Sequence, residues 1–142
     1  MKATKEIMST DIVVCLKDDT LHDAAMKMKD RNVGVIPVCS ADRELLGVIT
    51  DRDLVLRGYA DKKPDTTKVQ EVMSDKLHFT SPDTSVEEAS RLMAENQIRR
   101  LPIVDNGKLV GIVSLGDLSL EDKSNDAAGH ALEEISERPE LH

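Results

Sequence analysis

Leu46-Gly47-Val48-Ile49-Thr50-Asp51-Arg52-Asp53-Leu54 and Val110-Gly111-Ile112-Val113-Ser114-Leu115-Gly116-Asp117-Leu118 are two versions of one stretch, 64 positions apart. Each is a β-branched apolar run holding a glycine; it ends at a hydroxyl residue, and an aspartate follows three positions later. Working outward, the matches continue. Leu45 pairs with Leu109, and at an offset of 65 Pro37 pairs with Pro102, Met28 with Met93, Ala24 with Ala89, Thr20 with Ser85 and Asp18 with Asp83. Ile7-Met8-Ser9 returns as Val72-Met73-Ser74 at the same offset of 65. A single one-residue gap, placed in a loop after Pro37, reconciles the two offsets. So ordered a set of matches is an internal repeat, and it dictates how the rest of the chain is read.

Each copy reads as helix, strand, strand, helix. Leu21, Ala24, Ala25 and Met28 follow the spacing of one helical face. Thr20 with Asp23, and Ser85 with Glu88, have the S/T-x-x-D/E form that satisfies free amides at a helix start. Short β-branched segments follow at 33–38 and 98–104. In the second copy Asn106-Gly107 separates two apolar runs, a strong hairpin signal, whereas the first copy has a longer loop over 39–44. A second helix is expected from Thr50 and from Ser114. The organisation expected is a first repeat over 4–59, a polar linker over 60–68, a second repeat over 69–120 and a tail over 121–142. In that tail Asn125 can cap a helix bearing Ala128, Leu132 and Ile135 on one face, ending before Pro139 and weakened at Gly129. A single copy of about 50 residues is marginal by itself. The repeat therefore implies a pseudo-symmetric α/β (α+β) pair packed sheet to sheet, with clefts where the copies meet.

Composition narrows the function. The net charge of −8 opposes binding to a phosphate backbone, and Tyr59 and Phe79 are the only aromatics, too few for a stacking platform. Nucleic acid is excluded as a partner on these grounds. The N-terminus starts with charged residues and has no apolar segment behind it, and the longest apolar run, 33–39, is seven residues. A membrane span needs about 20. A cytoplasmic protein with no membrane partner is expected. Cys15 and Cys39 fall in different segments without a CxxC, so they read as small buried hydrophobes, with a thiol switch as a weaker idea. His22, His78, His130 and His142 show no metal-ligand spacing, and no metal or cofactor is expected.

Thr50-x-x-Asp53 and Ser114-x-x-Asp117 carry the chemistry. A helix that starts at the hydroxyl residue has unpaired first-turn amides at the positive end of its dipole, which favours phosphate. An ionised aspartate only accepts, so it suits the hydroxyls of a ribose instead. Together they fit a ribose phosphate. The same residues also make an ordinary cap, the reading adopted for Thr20 and Ser85. Arg99 and Arg100 precede Pro102, and because adjacent strand residues face opposite ways, one of them is expected to face the cleft. A guanidinium fork there would hold phosphate oxygens. Arg52 is a further phosphate candidate, and its counterpart is Gly116, so the two clefts are not equivalent. Any flat apolar slot beside it would have to be aliphatic, drawn from Ile12, Val35, Pro37, Leu77 and Pro102.

The repeated set resembles the CBS (cystathionine-beta-synthase) domain family. It is carried by Ile7-Met8-Ser9 and Val72-Met73-Ser74, by Gly34-Val35-Ile36-Pro37-Val38 and Arg99-Arg100-Leu101-Pro102-Ile103-Val104-Asp105, and by the two stretches quoted first. The resemblance covers about residues 4 to 120 and is closest to small stand-alone bacterial proteins built of one CBS pair. It implies β-α-β-β-α repeats and a flat homodimer. It also implies an adenosyl ligand, whether an adenine nucleotide (AMP, ADP or ATP), S-adenosylmethionine or a dinucleotide such as a cyclic one, with Asp toward ribose and Thr or Ser toward phosphate. The function expected is a non-enzymatic sensor that signals to a protein in another chain. Two alternatives stand beside it. One is a structural dimerisation module without ligand; under either reading the homodimer is expected through partly uncovered apolar helix faces bearing Ala24, Met28, Ala89 and Met93. The other is a nucleotide-acting enzyme, for which paired carboxylates, an activated nucleophile and a phosphate loop with lysine are all missing.

Overall fold

The computed structural model describes residues 2–120; the expected C-terminal helix lies outside the described residues. The chain divides into two compact units. The first unit is residues 13–77, and the second joins residues 2–12 to residues 78–120.

In the first unit β1 (Cys15–Leu16) leads to α1 (Leu21–Arg31), β2 (Val35–Cys39), β3 (Leu45–Thr50) and α2, which opens as Asp51–Asp53 and widens into π-helical Leu54–Tyr59. α1 starts where the sequence says it should. Thr20 Oγ1 accepts from Asp23 N at 3.1 Å, and Asp23 Oδ2 accepts from Thr20 N at 3.0 Å. It stops at Asn32, whose φ of 53° breaks the helical ladder. The sheet order is β1-β2-β3, with β1 parallel to β2 and β2 antiparallel to β3. Leu21, Ala24 and Met28 bring one face of α1 onto Ile36, Val38, Ile49, Val69 and Val72. The stretch before Val69 is not loose: the carbonyls of Asp65 and Thr67 accept from His22 N and Leu21 N at 3.2 and 2.9 Å. They thereby satisfy free amides at the start of α1.

In the second unit α3 (Val86–Asn96) is followed by the antiparallel pair β4 (Arg100–Asp105) and β5 (Lys108–Ser114), then α4 (Leu115–Ser119). Asn106 and Gly107 both have positive φ, 53° and 80°, as the two-residue hairpin turn requires. Ala89, Met93, Leu101, Ile103, Val113 and Leu118 form the centre of its core. One expectation is corrected here. The helix faces bearing Ala24, Met28, Ala89 and Met93 are not uncovered; these four residues are 0, 7, 0 and 0% exposed and pack on their own sheets. The apolar residues left in solvent are others, among them Met26 on α1 and Val55, Leu56 and Tyr59 on α2.

Compact unit and sequence repeat are out of step by one segment. Ile7-Met8-Ser9, at the head of the first repeat, lies in the second unit, where Ser9 and Ile112 exchange both backbone hydrogen bonds at 2.8 and 3.0 Å. Val72-Met73-Ser74, at the head of the second repeat, lies in the first unit, where Ser74 and Val48 exchange theirs at 2.9 Å each. Both contacts depend on a glycine. A β-carbon on Gly47 would stand 2.6 Å from Ser74 O and 2.9 Å from Met73 Sδ, and one on Gly111 would strike the Met8 side chain.

These two glycines differ in what can yield. Beside Gly111 the obstacle is a flexible thioether, but beside Gly47 it is backbone pinned by two hydrogen bonds. Both Gly47→Ala and Gly111→Ala are expected to destabilise the protein by overpacking, about 1–3 kcal/mol. Gly47→Ala should be the worse of the two. Urea denaturation of both variants checks the order, and a larger loss at Gly111 would contradict this account.

Candidate functional site

Two strand-to-helix corners, one in each unit, carry most of the residues singled out from the sequence. In the first unit β3 ends at Thr50, whose Oγ1 accepts from Asp53 N at 2.9 Å while Asp53 Oδ2 accepts from Thr50 N at 3.0 Å. In the second unit β5 ends at Ser114, with Ser114 Oγ accepting from Asp117 N at 3.1 Å and Asp117 Oδ2 accepting from Ser114 N at 2.8 Å. Each aspartate therefore uses one carboxylate oxygen to close its own cap. That is the geometry of Thr20 and Asp23, so the cap reading and the ligand reading share the same hydrogen bonds.

The remaining oxygens differ. Asp53 Oδ1 lies 3.3 Å from Arg57 Nη2, with the Asp53 side chain 14% exposed. Asp117 is half-buried, and among the described residues its Oδ1 meets no donor.

The sheet register brings the strand candidates to these corners. Val35 stands opposite Thr50, and Arg100 stands opposite Ser114. Cross-strand partners share a face and side chains alternate along a strand. Pro37, opposite Val48, is therefore on the face of Val35 and Thr50, while Pro102, opposite Ile112, is on the face of Arg100 and Ser114. Both prolines are buried; Val35 is half-buried. Arg99 sits just ahead of β4, and its carbonyl accepts from Leu115 N at 3.1 Å. Arg99, Arg100 and Arg52 are all exposed. The sequence reading missed two residues at the first corner. Asp51 lies across Gly34, where a β-carbon would meet its Oδ2 at 3.0 Å, and Arg57 pairs with Asp53. The i,i+4 spacing of Asp53 and Arg57 was the available signal for the second of these.

No group of three or more His, Cys, Asp or Glu residues suited to a metal ion occurs among the described residues. No helix among them is long and apolar enough to cross a membrane.

With the geometry established, comparison with known proteins adds the family. The sequence model of the CBS domain matches twice, over residues 4–58 and 69–122. The chain belongs to the CBS-domain family. Its two repeats are similar to the whole of several small relatives. YlbB of Bacillus subtilis (strain 168) is 50% identical over 138 residues, covering 96% of this chain and 93% of that protein. Among solved structures, Hypoxic Response Protein I with two coordinated zinc ions superposes with a TM-score of 0.77 at 30% identity, covering 84% of this chain and 98% of that one. CBSX2 in complex with AMP gives a TM-score of 0.72 at 28% identity, covering 82% and 93%. The mixed α+β fold expected from the repeat is thus the fold of the CBS repeats.

The cysteines take no part in either corner. The register sets Cys15 beside Val38 and Cys39 beside Leu16, so alternation puts the two thiols on opposite faces of the sheet. Both are 0% exposed. Burial pushes the Cys15 thiol up to about 11, against a smaller opposing pull from Lys27, and burial raises Cys39 as well. A thiol switch between them has neither the geometry nor the thiolate. Ellman's reagent at pH 8 is expected to leave both thiols unmodified until the protein is unfolded. A raised acid is held protonated by the fold, so the stability it lends is complete below the ordinary thiol range. That stability is lost as pH rises through about 11. Rapid native-state labelling would defeat this assignment.

Proposed function

We propose that this protein is a regulatory, non-enzymatic ligand-binding module that takes adenine nucleotides or related adenosyl ligands at its strand-to-helix corners and relays their presence to another protein. The candidate ligands are AMP, ADP, ATP, S-adenosylmethionine and cyclic dinucleotides. The binding residues proposed are Thr50, Arg52, Asp53, Val35 and Pro37 on the first unit, and Arg99, Arg100, Ser114, Asp117 and Pro102 on the second. The observation that carries the reading is the second corner, where exposed Arg100 stands opposite Ser114, exposed Arg99 precedes it, and Asp117 closes the cap of Ser114 through one carboxylate oxygen. The family supports it, as does the similarity to a CBS protein solved with AMP. Guanidinium forks suit phosphate, and an ionised acceptor suits ribose hydroxyls. In an acidic protein, such a cationic focus favours an anionic ligand drawn out of solution.

A purely structural reading has one specific observation in its favour. The corner hydrogen bonds reproduce the cap at Thr20 and Asp23, which has no proposed ligand. Three variants separate the readings. Asp53→Ala and Asp117→Ala should each weaken adenosyl ligands at their own corner by roughly ten- to hundredfold, the equivalent of about 1.5–3 kcal/mol for charge-assisted bonds. Asp23→Ala should lower only stability, by about 1 kcal/mol. Calorimetry with AMP, ATP, S-adenosylmethionine and cyclic di-AMP, run beside melting curves, provides both readouts. AMP should outbind adenosine and S-adenosylmethionine and should weaken with added salt. If all three variants melt early and bind normally, the aspartates are caps and nothing more.

Assembly belongs to the same proposal. A two-fold homodimer is the expected state, with the exposed Val55, Leu56 and Tyr59 of α2 as the apolar surface it would cover. Light scattering should return twice the 15.7 kDa chain mass at micromolar concentration. A monomer at that concentration would refute the dimer and leave the ligand reading untouched.

A further inference from the structure

Each unit is closed by a methionine seated on bare backbone. In the second unit Met8 lies on Gly111 of β5, where a β-carbon would stand 2.7 Å from Met8 Cγ and closer still to its Sδ. In the first unit Met73 lies on Gly47 of β3, where a β-carbon would stand 2.9 Å from Met73 Sδ and 3.4 Å from its Cε. The two methionines are repeat counterparts, and so are the two glycines. One contact, a thioether sulfur against a strand glycine, thus occurs twice, each time within a single unit.

Sulfur sets these side chains apart from the valines and leucines around them, because it can take up an oxygen atom. Exposure sorts the methionines. Met28 and Met93 are 7 and 0% exposed within the two cores, and Met26 on α1 is 40% exposed. Met8 and Met73 are half-buried and pack against those same cores. Among the described residues, only these two methionines combine partial exposure with a core contact. The thiols do not compete: Cys15 and Cys39 are 0% exposed and held protonated, whereas a thioether has no proton to lose before it reacts. The backbone amides at each seat are already engaged. Ser74 N and Val48 N bond to each other's carbonyls at 2.9 Å each, and Met73 N to Val69 O at 3.0 Å. Ser9 N and Ile112 N do the same at 2.8 and 3.0 Å, and Met8 N bonds to Thr4 O at 2.9 Å.

We propose that Met8 and Met73 are peroxide-sensitive latches: conversion of either thioether to its sulfoxide unseats the segment that closes its unit. A hydroperoxide supplies the oxygen. The sulfur lone pair attacks one peroxide oxygen, an S–O bond forms and the O–O bond breaks. Sulfur gives up an electron pair, and the peroxide is reduced to water or to the corresponding alcohol. On the strand side the added oxygen meets the glycine backbone, where the sulfur already fills the space a β-carbon would need. On the other side it puts a polar, chiral group where an apolar one packed against the core. Either epimer therefore loosens Ile7-Met8-Ser9 from β5 or Val72-Met73-Ser74 from β3. The change is reversible, since methionine sulfoxide reductases return both epimers to the thioether. The latch stands independently of any ligand at the corners.

The test treats the full chain with hydrogen peroxide, maps oxygen uptake by peptide mass spectrometry and follows stability by urea denaturation. Met26 is expected to oxidise first without loss of stability, Met8 and Met73 next, and Met28 and Met93 only on unfolding. Once Met8 and Met73 are converted, the folded-to-unfolded ratio should fall roughly ten- to hundredfold, the scale of forcing added volume into a packed contact. Sulfoxide reductases of both classes should restore it. The double variant Met8→Leu, Met73→Leu conserves volume and should keep its stability through the same treatment, whereas Met26→Leu should lose it as wild type does. Unchanged stability of the wild type after Met8 and Met73 are oxidised would overturn the latch, and that arm decides even if the double variant folds poorly. So would protection of Met8 and Met73 equal to that of Met93, or a folded double variant that peroxide destabilises as much as wild type.

Discussion

At Gly47 a β-carbon would stand 2.6 Å from the carbonyl oxygen of Ser74, and at Gly111 it would strike the side chain of Met8; each unit is closed by a segment laid across that bare backbone. A β-hairpin with one or two helices is marginal as a free-standing fold, since two strands leave unpaired backbone groups and too little buried surface. The added segment supplies both. Ser74 pairs with Val48, Ser9 with Ile112, and Thr80 bridges Ile103 in the second unit. Val72 reaches the core of the first unit, and Ile7 and Met8 pack against that of the second. The glycines in these strands are therefore a packing demand on β3 and β5, rather than a matter of turn conformation or of ligand approach.

Much of this was legible from the chain alone, for definite reasons. Caps are local, so Thr20, Ser85, Thr50 and Ser114 could be placed from three-residue spacings, and all four accept the expected amide in the structure. The Asn106-Gly107 turn is local too, because positive φ at both positions selects those residues. What escaped was non-local. Internal similarity reports which segments resemble each other and says nothing about which segments touch, so the exchange of Ile7-Met8-Ser9 and Val72-Met73-Ser74 between units could not be read. Period 3.6 likewise shows that Ala24 and Met28 share a face, without saying what covers it. Taking that face as a spare surface overlooked that a small sheet needs it.

A cap motif of this kind leaves room for a second role without competition. A carboxylate has two oxygens, and the cap consumes only one of them. Asp117 Oδ2 accepts from Ser114 N, and among the described residues no donor reaches Oδ1, so a ligand hydroxyl there would add a hydrogen bond and break none of those described. Asp53 accepts from Thr50 N through Oδ2 and from Arg57 through Oδ1, so a ligand in the first unit would have to displace or share a partner. Since Arg57 is half exposed, that pair is screened by water and contributes little by itself. Its effect is on availability: it makes an otherwise identical motif a poorer acceptor.

The motif alone therefore cannot separate a ligand site from a plain cap. T-x-x-D and S-x-x-D are fixed by the needs of a helix start, so they would persist in a corner that never met a ligand. Residues that would discriminate lie outside the motif, at strand positions opposite it. Arg100 faces Ser114 where Val35 faces Thr50, and Arg99 stands where Gly34 makes room for Asp51. Those positions are free of the capping constraint, exposed or half-exposed, and different between the two copies, as are the first-turn pairs Asp51-Arg52 and Leu115-Gly116. Charge at such positions costs little in stability when solvated and changes greatly what anion can approach. The repeat therefore supplies its own internal control: the fold holds the frame constant in both units, and the residues that vary within it are where ligand selectivity can be set.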